Sequence, residues 1–313
     1  MLSAGEPLRS VERLNWSQGR GPKGKDKMSV VVAANLVSLR LQTQLKKTSA
    51  ELGTVYERLG SGLRINSGAD DPAGLALADK LRSQSKIFAV AIRNANDGLS
   101  FTTSADSGLA EITSLLQRMS ELASQGANSL YSLTQRSALQ TEFAALGSEI
   151  NRIAEVSQFN GLGTLKNSSN QVIQVGLSSD ASSRIEIRSV SASLGELGIG
   201  SGNTLTYSLT GTSIDAAMSA SRLAITALAA AVDEVALQRG TIGAASERLR
   251  AAVNTLSVMR ENALAAESQV RDADIAEDVA KLTRLQVLSK SQVALMAQAN
   301  QEPALALKLL GSN

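Results

Sequence analysis

Apolar residues recur at alternating steps of three and four along most of this sequence. Close to the C-terminus, residues 273–301 carry such a line, formed by Ile275, Val279, Leu282, Leu285 and Leu288. The spacing predicts an amphipathic helix of about seven to eight turns, roughly 40 Å long at a rise of ~1.5 Å per residue. A helix with an exposed apolar stripe is not stable alone in water, so this helix needs a partner.

The pattern places a partner near the other end of the chain. The a and d positions of a heptad repeat are occupied there by Leu41, Leu45, Thr48, Leu52, Val55 and Leu59. Because a heptad repeat packs one helix along another, the sequence predicts that the two ends of the chain pair like a coiled coil.

A long helix is predicted after this first one. Gly60 to Gly62 end the first helix, and Asp71-Pro72 starts the next, with Asp71 as the N-cap and Pro72 in the first turn. This helix is expected to reach about Gln125, although Gly98 and Gly108 weaken it. Its predicted seam consists of Leu77, Leu81, Phe88, Leu109, Ile112, Leu116 and Met119, with alanines at 91, 95 and 105.

The rest of the pattern predicts two further helices that flank a short β region. The first follows a turn at residues 126–132 and ends at the Asn160-Gly161 turn. Residues 171–176 and 184–188 alternate like two strands, and residues 193–211 form a loop rich in Gly, Ser and Thr. A helix then returns near Ile214, with a heptad formed by Ile225, Leu228, Val232, Val235, Ile242, Leu249, Val253 and Leu256.

Together these elements predict a mainly α fold: a long antiparallel helical rod with coiled-coil-like paired termini and a small β region in the middle of the chain. We expect residues 28–68 plus 271–313 to form the paired terminal helices, and residues 69–165 plus 214–270 to form the helical rod. Residues 166–213 are the short β and loop region. Residues 1–27 lack a sustained apolar period, and we interpret them as a disordered extension or a wrongly assigned start.

Composition argues against catalysis. The chain of 313 residues has no Cys and no His, and only 3% of it is aromatic. Thiolate metal sites, thiol nucleophiles and the commonest general base are therefore absent. The Asp70-Asp71 pair precedes a proline and is typical of a cap, while Asp272, Asp274 and Asp278 lack the glycine and the closing Glu of a calcium loop. We predict no catalytic residues, no metal site and no cofactor.

Charge and hydropathy also argue against nucleic acid and membrane partners. The net charge is +2, and residues 1–27 alone hold six basic and three acidic residues. The basic balance thus belongs to this first stretch and is a weak basis for nucleic-acid binding. Residues 23–41 resemble a signal peptide only loosely, because Asn35 and Ser38 interrupt the apolar run. No segment has the ~18 apolar residues that a membrane span needs.

The remaining kind of function is assembly through the protein surface. The apolar seams exceed what one subunit covers internally, and contacts of this kind that do not close into a ring generate a helical filament. The pattern alone therefore predicts a protein that assembles with copies of itself.

Several sequence motifs resemble those of bacterial flagellin. Ser61-Gly-Leu-Arg-Ile-Asn66 with Asp70-Asp-Pro-Ala-Gly74 resembles the family's N-terminal signature. Gln117-Arg-Met119, Glu121-Leu-Ala123 and Phe159-Asn-Gly161 continue the similarity. Near the C-terminus, Arg271-Asp-Ala-Asp274 and Leu295-Met-Ala-Gln-Ala-Asn-Gln301 resemble its closing segment.

The resemblance implies a structural subunit of the bacterial flagellar filament, used for motility, with the paired termini as the inner filament core and the rod helices as the outer core. The polymerisation residues would then be Leu41, Leu45, Leu52, Val55, Leu59, Ile275, Val279, Leu282 and Leu288. The alternative within the same superfamily is the hook–filament junction protein. Either way, the resemblance implies an extracellular protein secreted by the flagellar export apparatus without a cleaved signal peptide.

The resemblance also implies partners. These are further copies of the chain, a flagellar export chaperone, and the flagellar cap and hook–filament junction proteins. A host Toll-like receptor is the last implied partner, and the residues that match the region it contacts are Arg118, Leu122, Gln125 and Glu142. Arg118, Leu122 and Gln125 are expected to share one helix face at their spacing of three and four.

Overall fold

The computed structural model describes residues 35–166 and 169–310. In these residues the chain forms five α-helices: α1 (Leu36–Ser61), α2 (Pro72–Gly126), α3 (Leu133–Val156), α4 (Ile214–Arg271) and α5 (Ile275–Leu310). Six short strands lie between α3 and α4: β1 (Gln158–Phe159), β2 (Leu162–Gly163), β3 (Gln171–Gln174), β4 (Arg184–Ile187), β5 (Gly200–Ser201) and β6 (Thr204–Leu205). The prediction of a mainly α fold with a small β region in the middle of the chain is confirmed.

The chain divides into two compact units. The larger one spans Glu57–Asp278, and the smaller one combines the described residues up to Tyr56 with the described residues from Val279 onward. The finer division into four parts that the sequence suggests remains a prediction. Its first part, residues 1–27, lies outside the described residues.

Within the larger unit, α2 and α4 pack antiparallel along most of their length. Arg239 near the middle of α4 donates from Nε to Asp106 Oδ1 of α2 at 2.8 Å. Towards the start of α2, Arg271 Nη1 lies 3.7 Å from Asp79 Oδ1. Contact partners therefore move back along α4 as they advance along α2. The predicted pairing of long helices arises from this interface.

The α4 seam confirms one of the two predicted heptad positions and corrects the other. Leu228, Val235, Ile242, Leu249 and Leu256 are buried, as predicted. The second position belongs to Ala224, Ala231 and Ala245, and the first two of these come one residue before the predicted Ile225 and Val232. Ile225 and Val232 are only half-buried beside the seam. Alanine lies in the centre because its small side chain lets two helices approach closely and gain dispersion contacts.

The helix ends have local causes in the sequence. Asp71 is the N-cap of α2, and its Oδ1 accepts from the amides of Ala73 at 3.1 Å and Gly74 at 2.9 Å. Ser132 and Gln135 form a reciprocal capping box at the start of α3. Leu77 departs from the prediction: it is 48% exposed, whereas Ala78 is buried in its place.

The β region packs against the helices at glycines. A Cβ atom at Gly108 of α2 would lie only 2.7 Å from Leu165 Cδ1, and one at Gly147 of α3 would lie 2.6 Å from Leu205 Cδ1. The α2 helix runs through Gly98 and Gly108 without interruption. These glycines therefore admit apolar side chains from the middle of the chain, at a cost in helix propensity of about 1 kcal/mol each.

Two features of the β region follow from turn chemistry. β3 and β4 form the antiparallel pair that the alternating pattern predicts. A further hairpin, β1 with β2, surrounds the predicted Asn160-Gly161 turn, where both residues have positive φ values of 51° and 78°. Asn and Gly tolerate that conformation better than other residues, so this dipeptide closes a tight hairpin.

Candidate functional site

The smaller unit pairs α1 with α5 in antiparallel fashion. Inward positions of α1 recur at steps of three and four, at Ser38, Leu41, Leu45, Thr48, Leu52 and Val55. The facing line of α5 has the same spacing, at Leu282, Leu285, Ser289, Gln292, Met296 and Ala299. Such spacing is that of a coiled-coil seam.

Hydrogen bonds connect the two helices at three levels. Asn35 donates from Nδ2 to the carbonyl oxygen of Ala299 at 2.6 Å. Further along, Gln292 donates from Nε2 to Thr48 Oγ1 at 3.0 Å, and both side chains are buried. Gln286 donates to the hydroxyl of Tyr56 at 3.0 Å. The seam is thus partly polar, and the Oε1 atom of Gln292 is buried without a hydrogen-bond partner.

The residues predicted to mediate polymerisation separate into two groups. Val55 is buried, and Leu41, Leu45, Leu52, Leu59 and Leu282 are half-buried. Ile275, Val279 and Leu288 are instead 48%, 47% and 44% exposed. The apolar stripe expected through these three does not coincide with the inward line of α5. The reason is that polar Ser289 and Gln292 occupy positions on that line, which the search for apolar residues passed over.

Exposed apolar side chains lie on both flanks of the inward line of α5. At 100° per residue, Val279 and Val293 fall on one flank and Leu288 and Leu295 on the other. Between 44% and 56% of each is exposed. On α1, Leu36 and Leu39 are 64% and 61% exposed. A surface of this kind fits contact with other protein chains, because it leaves apolar area in water.

In the larger unit, two connectors form a short antiparallel pair: residues 62–64 between α1 and α2, and residues 271–273 between α4 and α5. Arg64 donates its amide to the carbonyl of Arg271 at 2.6 Å, and Ala273 donates its amide to the carbonyl of Gly62 at 3.0 Å. Between these bonds, Leu63 and Asp272 are directly opposite each other. The arginine and aspartate motifs of the sequence therefore meet here.

The segment after this pairing is held by carboxylates. Asp70 Oδ2 accepts from the amides of Asn66 at 3.1 Å and Ser67 at 2.9 Å. The hydrogen bond from the backbone amide of Ser67 is the largest cause that holds the pKa of Asp70 below its ordinary value of 3.8, and the one from Asn66 comes next. Asp71 then caps α2, so the two adjacent carboxylates have separate structural partners, in agreement with the capping interpretation.

The residues expected to meet an immune receptor do not all share a surface. Arg118 donates to Glu142 Oε1 from Nη2 at 2.7 Å and to Glu121 Oε2 from Nη1 at 2.9 Å. The bonds to Glu121 and then Glu142 raise the pKa of Arg118. Gln125 is exposed nearby on α2. Leu122 is only 1% exposed and belongs to the same buried apolar cluster as Phe143, so its side chain is not part of the exposed surface that carries Arg118 and Gln125.

The structure also defines what chemistry the described residues can support. Within residues 35–166 and 169–310, no group of three or more acidic side chains is arranged to hold a metal ion. In the same ranges, no helix is both long and apolar enough to cross a bilayer. The enclosed cavity beside Phe101 and Ile187 has a volume of about 10 Å³, which suits at most one water molecule.

Comparison with known families gives two matches that together cover most of the chain. Residues 32–170 match the bacterial flagellin N-terminal helical region. Residues 225–310 match the bacterial flagellin C-terminal helical region. The first match includes α1, α2 and α3, and the second includes most of α4 and all of α5. The unmatched stretch between them contains most of the β region.

Individual proteins are similar over nearly the whole chain. The flagellar filament 33 kDa core protein of Treponema phagedenis is 36% identical, over 90% of this chain and 100% of that protein. Flagellin FlaB1 of Treponema pallidum (strain Nichols) is 34% identical with the same two coverages. The flagellin of Bacillus subtilis (strain 168) is 33% identical, over 88% of this chain and 98% of its own length.

Proposed function

The chain belongs to the bacterial flagellin family, and from this premise we propose that its paired termini and their exposed apolar flanks form the polymerisation surface of a flagellar filament subunit. The family is structural, and its members are flagellins and filament core proteins. These names favour the filament subunit over the hook–filament junction protein. No catalytic role is assigned.

The observation that carries this proposal is the apolar surface of α5. Val279 and Val293 on one flank and Leu288 and Leu295 on the other are all at least 44% exposed. A helix with two apolar flanks and an inward line can contact neighbouring subunits on both sides. Burying such side chains stabilises an assembly by roughly 25 cal/mol per Å² of apolar area removed from water. Ile275, Val279 and Leu288 have no inward contact, and the proposal gives these side chains contacts with neighbouring subunits instead.

Seeded elongation tests the proposal. Purified chain should extend short filament seeds, whereas a Val279→Asp, Leu295→Asp double variant should not, because two desolvated carboxylates oppose burial. The helical circular dichroism of the monomer should stay close to that of the wild type. The matched control is Leu162→Asp in β2, at a side chain that is 50% exposed. Equal elongation by the double variant and this control would contradict the proposal.

The remaining partners are proposed from family membership. We expect the filament to lie outside the cell, with the subunit delivered by the flagellar export apparatus and its α5 helix covered beforehand by an export chaperone. The exposed apolar flanks of α5 support a need for such cover. The flagellar cap and the hook–filament junction proteins are the partners expected at the two ends of the filament.

A contact with a host Toll-like receptor is proposed only for the exposed residues of the cluster on α2 and α3. Arg118, Gln125 and Glu142 are exposed, and Arg118 already bonds Glu121 and Glu142 within the subunit. A receptor acidic group would have to compete with those bonds. Binding of the chain to a purified receptor ectodomain, with Arg118→Ala as the variant and Arg152→Ala as the control, tests this proposal.

A further inference from the structure

We propose that Arg64 and Arg271 are positioning residues for assembly: they hold the two connectors together and thereby set which residues of α1 face which residues of α5. The proposal rests on the function proposed above. It assigns a role to two arginines that lie outside the inward lines of α1 and α5.

The backbone pairing between the connectors is short. It consists of a single opposed pair, Leu63 with Asp272, between two hydrogen bonds. The bonds run from Arg64 N to Arg271 O and from Ala273 N to Gly62 O, which makes Leu63 and Asp272 a non-hydrogen-bonded pair. Two strands that share one such pair have little stability of their own, so side chains must supply more.

The two arginines supply it reciprocally. Arg64 on the first connector donates from Nη2 to the carbonyl of Val270 at 2.6 Å. Arg271 is the first residue of the second connector, and it donates from Nε to the carbonyl of Ile65 at 3.3 Å. Each guanidinium thus bonds the backbone just beyond the opposite connector, and both bonds lie on the α2 and α4 side of the Leu63–Asp272 pair. Hydrogen bonds from a charged donor are stronger than neutral ones.

Arg271 is the better fixed of the two. Its side chain is only 13% exposed, and its Nη1 lies 3.7 Å from Asp79 of α2. Ile65, whose carbonyl it binds, is 2% exposed. Arg271 therefore ties the second connector both to the first connector and to the beginning of α2, whereas Arg64 acts at the surface.

The consequence concerns the alignment of α1 with α5. α1 ends at Ser61, just before the pairing, and α5 begins at Ile275, just after it. A slip of one residue would rotate one helix face by about 100° relative to the other. That rotation would separate the Thr48 and Gln292 side chains, which share a buried hydrogen bond. The same slip would take the leucines of α1 out of the seam.

The first experiment removes the guanidinium groups of both arginines. The Arg64→Met, Arg271→Met variant keeps an unbranched side-chain stem but loses the guanidinium donors, and it should elongate wild-type seeds at least about tenfold more slowly than the wild type. Arg64→Met alone should have a smaller effect in the same direction. The matched control is Arg248→Met on α4. The Arg248 side chain is exposed and has no hydrogen bond or ion pair within the described residues. Wild-type rates for the double variant would overturn the proposal.

A disulfide separates positioning from other roles. Non-hydrogen-bonded strand pairs have the short Cα separation that a disulfide needs, and the chain has no cysteine of its own. Leu63→Cys and Asp272→Cys, added to the double methionine variant, should restore elongation when oxidised and lose it again when reduced. Oxidised and reduced forms that elongate equally slowly would mean that the arginines act elsewhere, for example on a neighbouring subunit, and would overturn the proposal.

Alignment can also be read directly. Nitroxide labels at Glu51→Cys and Lys290→Cys, in filaments diluted with unlabelled chain, should give one narrow distance for the wild type. The double methionine variant should give a broad or double distribution in whatever filaments it forms, and an unchanged narrow distance would contradict the proposal. Failure of the wild type itself to elongate would instead count against the proposed function.

Discussion

The two helix pairs of this protein use the same spacing but different side chains. The buried positions of α2 and α4 are mostly apolar, and residues such as Ala95, Leu109, Leu228 and Val235 are at most 1% exposed, although Ser85, Thr102 and Ser221 are buried among them. The α1–α5 seam contains Ser38, Thr48, Ser289 and Gln292, and most of its leucines are only half-buried. Both pairs carry exposed apolar side chains on their outer faces, but the α2–α4 seam itself is buried within the subunit, whereas the α1–α5 seam is only partly covered.

This difference indicates where each pair obtains its stability. A seam with buried apolar side chains on all sides stabilises the folded monomer directly. A seam with polar positions and exposed flanks gains its full burial only when further chains cover it. A protein that must remain monomeric before assembly and become very stable afterwards needs both kinds of seam.

The largest effect is expected from disrupting the α1–α5 seam. Replacing Leu45 and Leu52 with Asp should abolish filament formation, because two carboxylates would face the α5 seam without partners. The helices within residues 72–256 should stay folded, since their core does not include these leucines. Electron microscopy of seeded samples, together with circular dichroism of the monomer, checks both parts. Normal filaments from this variant would show that the pairing of α1 with α5 is dispensable.

A second prediction measures the difference between the seams in the monomer. Leu228→Ala in α4 should lower the free energy of unfolding by about 2–5 kcal/mol, because it leaves a cavity in a closed core. Leu282→Ala in α5 should cost well under half as much in the monomer, since Leu282 is only half-buried. In assembled filaments the order should change, with Leu282→Ala now strongly destabilising. Urea titrations of monomers and of filaments give the two rankings.

The smallest effect concerns the connector. Asp70 has a lowered pKa, so its contribution to stability is fully present above pH 3.8 and is lost as the pH falls through the folded-state pKa. Wild type should therefore melt at a slightly higher temperature than Asp70→Asn at pH 5. The gap should narrow as the pH decreases below 3.8. A gap that stays constant down to pH 2 would show that the charge of Asp70 has no part in holding the connector.

The sequence was sufficient to predict the mainly α class and the position of every long helix in the described residues. Local chemistry explains this success, because Asp71-Pro72 and Gly62 mark helix boundaries; the Asn160-Gly161 turn instead closes the β1–β2 hairpin, and α3 already ends at Val156. The β3–β4 pair was also predictable from alternation. These features depend on neighbours in the chain and therefore appear in the sequence itself.

What the sequence did not predict depends on long-range packing. Searching for large apolar residues favoured Val232 over Ala231 in α4, although close helix approach requires the alanine. In α5 the same search favoured Val279 and Leu288 over the polar positions of the true inward line. The spacing from Arg118 did not reveal that Leu122 is buried, because its burial depends on the apolar cluster that it shares with Phe143 of α3. Alternating steps of three and four residues give the buried line of α4 when they start at Ala224, and the inward line of α5 when they start at Leu282.

The glycine contacts of the β region have a consequence for how this molecule can vary. The middle of the chain meets the long helices through a few apolar side chains, including Leu165 at Gly108 and Leu205 at Gly147. The turn at Leu177 and Ser178 is exposed and lies outside both buried apolar clusters. A foreign segment could therefore replace that turn and be displayed many times along one filament, provided that the anchoring residues and their glycines stay in place.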